Sequence, residues 1–499
     1  MRTKTETGFV ARLIQKSDAI LRHLREKRLS LNNRMEGRLS PRTITLLSTA
    51  VAGFVILLLL VVPPALSQYP NDSMELLRLA GAAGLRVEGT LLLPVSSAGG
   101  DASLHMLLLR MAIRLDRLLH GNTAAPLQSV ALLYTLLFLP SFALLLNELL
   151  QRIAFFSERI AVALLCLFIL MDSSRIVPFA SLSPLPLWHI GLVALLAGLL
   201  AAARGAAWGI PVLATAGLLL TLSAKQGAVL GVLTAAFAGG AAARKNTIRR
   251  RASAAFAAVG LLAGSFFSGF VLPDNFTHTA RLHAMTRGVL LQAQEPEKAL
   301  REFGIAPRFS VLTDVSAFEA VPAVAGEDSL LDEDFLERAA PMRIGLYYVR
   351  HPFSAVAMLD LAVRATMDTS SIYRSASDMP GALKLSLLSG YSALKARAMP
   401  TNLAFALLLF AIGMFAGRKQ KKQSGTPGAR RAIVLLMSVG VTQAFLVIVR
   451  SGDAELAQRA AMTGISIDLL IVVVAAMLLH RLNILDADET EGSSHEQTA

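Results

Sequence analysis

Apolar runs of membrane-crossing length, broken by short polar punctuation, dominate this chain. A bilayer core needs roughly 20 apolar residues in a helix. Stretches near that length recur at Thr43–Leu66, Leu127–Leu150, Ile160–Met171 (extended by Phe155 and Phe156), Leu187–Ala203 and Ile210–Ser223. Five more follow at Gly227–Ala243, Ala252–Pro273, Asn402–Gly417, Ala432–Val449 and Gly464–Leu479. The pattern predicts an all-α polytopic membrane protein with about ten transmembrane helices. Leu104–Leu119 differs: it sets Arg110, Arg114 and Arg117 at helical spacing among leucines. That is the pattern of a helix lying in the membrane interface. Ile344–Val363 and Leu383–Leu394 are also apolar enough to lie on the membrane. Tyr347, Arg350 and His351 interrupt the first, so it is not counted as a span.

Charge orients the spans. Basic residues crowd the first 42 positions, Arg244–Arg251 and Arg418–Arg431, and the latter two stretches contain no acid. An excess of Lys and Arg marks the loops that stay in the cytoplasm. Residues 274–400 are mixed in sign and hold Glu295, Glu297, Glu302, Asp332 and Glu337, so they are expected on the opposite side. The chain then divides into a basic arm at 1–42, either amphipathic or a solvated tail, and an N-terminal membrane module at 43–273. That module carries a first outer loop at 67–125. A mostly helical extracytoplasmic segment follows at 274–400, C-terminal membrane helices at 401–480 and an acidic tail at 481–499. Both ends are expected in the cytoplasm. The long basic opening segment is not a cleavable signal peptide.

Composition agrees. Hydrophobic residues make up 54% of the 499, charged residues only 17%, and mean hydropathy is +0.55. The net charge of +13 therefore reports topology, and no nucleic-acid partner is expected. The one cysteine, Cys166, excludes an intramolecular disulfide and a cysteine metal cluster. His278 and His283 are five apart, zinc-binding spacings such as HExxH are absent, and no metal follows from a motif. No phosphate-binding P-loop and no GxSxG is found.

The candidate chemistry lies at span ends. Asp72 stands just past the first span, in Ser67–Leu85, on the side opposite the cytoplasm. A carboxylate there can take a proton from a hydroxyl beside a lipid-borne substrate, although Pro70-Asn71-Asp72 is equally good turn chemistry. Asp172, Arg175, Lys225, Asp453 and Arg459 are the other outward ionisable groups near membrane ends. Ionisable residues against a bilayer are costly and often functional. Lys225, in Leu-Ser-Ala-Lys-Gln, can reach a headgroup phosphate by snorkelling, and equally reads as a plain anchor. Asp468, inside the last span, needs a partner from another helix or from water.

Several stretches resemble one family. They are His283-Ala-Met-Thr-Arg-Gly-Val-Leu-Leu with Glu295–Ile305, Ser223-Ala-Lys-Gln226, and Ser451–Arg459 leading into Gly464-Ile-Ser-Ile-Asp468. With the position of Asp72, they resemble the GT-C class of polytopic glycosyltransferases, and within it the WsfD-type hexose transferases of bacterial glycan biosynthesis. The resemblance implies a bacterial inner-membrane enzyme with outer-face juxtamembrane helices. It would move a hexose, with inversion, from a polyprenyl-phosphate donor to a glycan or lipid-linked acceptor on the outer face. On that resemblance Asp72 is the general base, and Lys225 and Arg175 hold the donor phosphate. Glu75, Asp172, Gln226, His283, Asp453 and Arg459 shape the cavity. It names no certain cofactor and leaves room for a divalent cation. Glu75 is the acid nearest Asp72, and the loop after Asp172 is Ser/Pro-rich, without the Asn-Ser-aromatic-acid pattern of related enzymes. A lipid-linked saccharide transporter or a non-catalytic envelope-glycan assembly partner would share this topology.

Overall fold

Leu185–Arg204 is the helix around which the bundle is built: 94% of its most apolar stretch is buried, against 28% for Ile248–Phe270 at the periphery. In this computed structural model the described residues are 39–60, 85–87, 90–94, 103–120, 124–153, 155–181, 183–242, 247–272, 278–315, 335–367, 388–419, 428–453 and 456–496. In chain order the helices begin with α1 (Pro41–Leu60), α2 (Leu104–His120), α3 (Leu127–Leu150), α4 (Phe156–Leu170) and the single turn α5 (Ser173–Ile176). The central α6 (Leu185–Arg204) leads to α7 (Gly209–Thr221), α8 (Ala228–Ala242) and α9 (Ile248–Phe270). Then come α10 (His278–His283), which continues into a π-helical turn at Ala284–Leu290, and α11 (Pro296–Phe303). The last group is α12 (Pro341–Arg350), α13 (Pro352–Met367), α14 (Gly390–Ala398), α15 (Leu403–Lys419), α16 (Ala429–Ser451), α17 (Leu456–Arg459) and α18 (Ala461–Glu496).

Each predicted apolar segment contains a helix. Among the described residues six helices are long and apolar enough to cross a membrane, and up to eight spans result if two bent pairs each count as one. The bent pairs are α4 with residues Ser173–Ala180, at 57°, and α14 with α15, at 105°. Helices α7 and α8, at 13 and 15 residues, fall close to the expected Ile210–Ser223 and Gly227–Ala243, with the Lys225–Gly227 turn between them, and each is shorter than the roughly 20 residues that cross a bilayer. One departure from an all-helical chain is a small antiparallel sheet, ordered β1 (Leu85–Val87), β2 (Thr90–Pro94) and β3 (Ala124–Pro126). Its first two strands lie between α1 and α2, and the third between α2 and α3. Of the two stretches expected on the membrane, Ile344–Val363 forms most of α12 and α13, and Leu383–Leu394 falls partly outside the described residues.

Close packing fixes the central helices. A side chain at Gly198 of α6 would lie 2.5 Å from the Leu213 backbone nitrogen, so only glycine lets α7 approach this near. Small residues allow such contact where apolar burial alone cannot drive helices together.

The helix ends sort into two sets. At one, Arg152 donates to the Leu200 carbonyl at 2.7 Å, Arg204 pairs with Glu148 at 2.5 Å, and Arg250 donates to the Ala202 carbonyl. Gly428, at the start of α16, packs beside Ala203 and Arg152 there. At the other, the Leu104 amide donates to the Leu222 carbonyl at 2.8 Å, Trp188 Nε1 to Ser223 Oγ at 3.0 Å, and Ser268 Oγ to the Ala224 carbonyl at 3.0 Å. The first end is therefore rich in arginine. The second gathers Asp172, Lys225 and the start of α2, as the charge pattern predicts.

A buried polar cluster as candidate functional site

Where α4 ends, the chain breaks rather than continuing as helix. Asp172 caps the next turn by accepting from the Ser174 amide at 3.0 Å. Its carboxylate also accepts from Ser174 Oγ at 2.6 Å, Ser392 Oγ at 2.5 Å and the Ser392 amide at 3.0 Å. These bonds tie the break after α4 to α14, which itself precedes the sharp bend into α15. The Ser173 amide donates to the Leu388 carbonyl at 3.0 Å, and Tyr391 meets Phe168 edge-on with ring centres 5.8 Å apart.

Asp468 of α18 stands beside this junction and is buried. Its Oδ1 accepts from Tyr391 Oη at 2.6 Å and Lys395 Nζ at 3.0 Å. Its Oδ2 accepts from Arg175 Nε at 2.9 Å and from Arg175 Nη2. Two carboxylates, Asp172 and Asp468, thus face two cations, Arg175 and Lys395, so the cluster is formally neutral. Burying one charge of such a group without the others would be prohibitive, which is why they come as a set. His189 completes the surroundings: its ring centre is 5.1 Å from Phe138, and neither ring nitrogen meets a hydrogen-bond partner among the described residues. The N-terminal turn of α6 therefore carries His189 near Arg175 and Trp188 against Ser223, two residues before Lys225.

The structure distributes the sequence-derived candidates over separate places. Asp172 and Arg175 are in the cluster. Lys225 and Gln226 form the turn between α7 and α8, and Gln226 Oε1 is buried with no hydrogen-bond partner among the described residues. His283 and Asp453 lie elsewhere, on the two sides of another contact. Arg287, one turn after His283, donates to both carboxylate oxygens of Asp453 at 2.7 and 2.9 Å. It also pairs with Asp314 at 3.1 Å. This contact rests on two glycines, Gly288 and Gly452: a side chain on Gly452 would lie 2.4 Å from the His283 carbonyl and one on Gly288 3.2 Å from Gly452 Cα, and Gly452 has φ +58. Beside it, burial pushes the Tyr348 phenol pKa up, and burial with nearby Glu302 does the same for Tyr347. Arg459 sits half-buried in α17. Asp72 and Glu75 lie outside the described residues.

Sequence reasoning missed Tyr391, Ser392, Lys395, His189 and Arg287. Tyr391 and Lys395 carried a signal, standing four apart on one short helix, the spacing that puts two side chains on one face. Among the described residues no group of three His, Cys, Asp or Glu side chains converges as metal ligands do.

A family model described as the YfdI N-terminal transmembrane domain matches residues 102–496. The chain belongs to the YfdI N-terminal transmembrane domain family. The matched region holds the Asp172–Asp468 cluster, the Lys225 turn and the Arg287–Asp453 pair, so all three are built within the YfdI-type domain. Asp72 and Glu75 precede it. No curated protein and no solved structure matches the chain.

Proposed function

We propose that this protein is an integral-membrane hexosyltransferase. In this reading it moves a sugar from a polyprenyl-phosphate donor to a glycan or lipid-linked acceptor on the extracytoplasmic face of a bacterial inner membrane. The observation that carries the reading is that the N-terminal turn of α6 lies between two candidate phosphate-binding cations. Trp188 holds the turn that leads to Lys225, and His189 lies by Arg175. Both cations are at the end of the bundle opposite Arg152, Arg204 and Arg250, which the positive-inside rule assigns to the cytoplasm.

In the proposed reaction an acceptor hydroxyl oxygen attacks the anomeric carbon as its bond to the donor phosphate oxygen breaks. Asp72 takes the hydroxyl proton. The bonding electron pair leaves with the polyprenyl phosphate, whose charge Lys225 neutralises. Arg175 is committed to Asp468 and would meet the phosphate only from that paired state. The test is Asp72→Asn in membranes supplied with polyprenyl-phosphate hexose. Transfer should fall by about 10²–10⁴-fold, the usual contribution of a positioned base, while the amount of folded protein is unchanged. Full transfer by that variant would remove the catalytic reading.

A second reading is a non-catalytic assembly partner, and it draws on the saturation of the cluster. Asp468 accepts from three side chains and Asp172 from two serines, the arrangement expected of a structural junction. A partner of that kind would support glycan assembly undiminished when Asp72 is replaced.

A further inference from the structure

Helices α12 and α13 bury one side and leave the other bare. On the inner side, Ile344, Tyr347 and Tyr348 are buried, and Tyr348 packs edge-on to Phe445 of α16. On the outer side, Met342, Leu346 and Val349 recur at helical spacing and are 87%, 49% and 70% exposed. The chain turns at His351-Pro352, and the bare face resumes with Phe353 at 90% and Val356 at 53%. Five large apolar side chains in so short a stretch form an exposed patch of the kind that marks an interaction surface.

The position of the patch selects the partner. Gly345 packs near Val449, at the end of α16 that leads into Asp453, so α12 lies at the same end of the bundle as the Arg287–Asp453 pair. Helix α13 then packs against α15, α16 and α18. Its Leu359 and Val363 line an apolar cleft with Leu403, Leu436 and Met437. Helix α15, which with α14 makes one of the bent pairs apolar enough to span, in turn exposes Leu407, Leu408, Ile412 and Phe415. Helix α13 thus joins the bare face of α12 to a helix whose own large apolar side chains are exposed. Arg343 and Arg350 stand on one flank of the stripe, and both are exposed, Arg343 with one guanidinium nitrogen donating to the Phe303 carbonyl at 3.2 Å. An apolar face edged by arginines is the design of a helix lying in a headgroup layer that contains anionic lipid.

We infer that α12 and α13 are a lipid-seated helix pair. Met342, Leu346, Val349 and Phe353 lie beneath the headgroups at the Asp453 end of the bundle, and Arg343 and Arg350 sit at anionic headgroup phosphates. Tyr348 of the pair lies beside Gly288, next to the Arg287–Asp453 contact. This inference is independent of the glycosyl-transfer reading and survives its failure.

The test uses the full chain in single-copy nanodiscs of phosphatidylcholine with phosphatidylglycerol, in a Cys166→Ser background. An environment-sensitive fluorophore is attached in turn to Leu346→Cys, Val349→Cys and Phe353→Cys, with Glu297→Cys as an exposed control. The stripe labels should be blue-shifted, quenched by doxyl-labelled lipid and protected from aqueous iodide, and the control should behave oppositely. Removing phosphatidylglycerol, or adding Arg350→Gln, should weaken the lipid quenching. Iodide quenching of all three stripe labels would overturn the inference. So would protection from both quenchers, or disulfide-linked dimers through Leu346→Cys in proteoliposomes, since these outcomes assign the face to protein.

Discussion

Arg175 Nε donates to Asp468 Oδ2 at 2.9 Å across 293 residues of sequence. The bond joins the break after α4 to the last membrane helix, and Lys395 and Tyr391 bring α14 to the same carboxylate. Three segments distant in sequence are therefore held by one acid. Its loss should be felt by all of them at once.

Replacing Asp468 with Asn leaves Arg175 and Lys395 buried with only Asp172 to balance them. The expected cost is about 3–5 kcal/mol, the range for breaking a buried pair by removing one partner. Lys395→Met should cost less, because Asp468 keeps the two-nitrogen contact from Arg175. Thermal unfolding of the purified protein in detergent gives the order, and equal losses for the two variants would contradict it.

Gly452→Ala should destabilise the contact between the π-helical turn and the end of α16. The added carbon would collide with the His283 carbonyl, and φ +58 with ψ −128 is a glycine conformation. Strain of this sort costs about 1–3 kcal/mol before the collision is counted. Gly240→Ala is the control: nothing lies within 4 Å of its added carbon. It should be neutral or stabilising by up to about 1 kcal/mol, from helix propensity. Melting temperatures of the two variants separate local strain from a general intolerance of larger residues.

Sidedness can be read by labelling. In a Cys166→Ser background, Thr247→Cys lies at the arginine-rich end and Glu297→Cys beyond the opposite one. An impermeant maleimide applied to intact cells should label Glu297→Cys at once and Thr247→Cys only after permeabilisation. Labelling of both in intact cells would invalidate the orientation on which the role of Asp72 depends.

Much of the architecture was legible because hydropathy is a local property. Each apolar segment announced its helix, and the arginine-rich ends gathered as the loop charges required. The bounds of α7 and α8, and the Lys225-Gln226 turn between them, were legible too, because the apolar runs end there. Asp468 declared its need for a partner, yet nothing local selects Arg175 among the many arginines. Arg287 and Asp453 each lay in a stretch marked as distinctive, but their pairing depends on the close approach of Gly288 and Gly452. Non-local electrostatic partners are set by packing, and one sequence does not print packing.

The bond between Arg175 and Asp468 also orders assembly in time. A chain made from its N-terminus delivers the guanidinium to the bilayer long before the matching carboxylate leaves the ribosome. Until α18 arrives, the half-built junction sets Arg175 and Lys395 against Asp172 alone, one positive charge in excess. A chain truncated before that helix would keep the defect permanently, a mark by which membrane proteases can tell an unfinished bundle from a finished one.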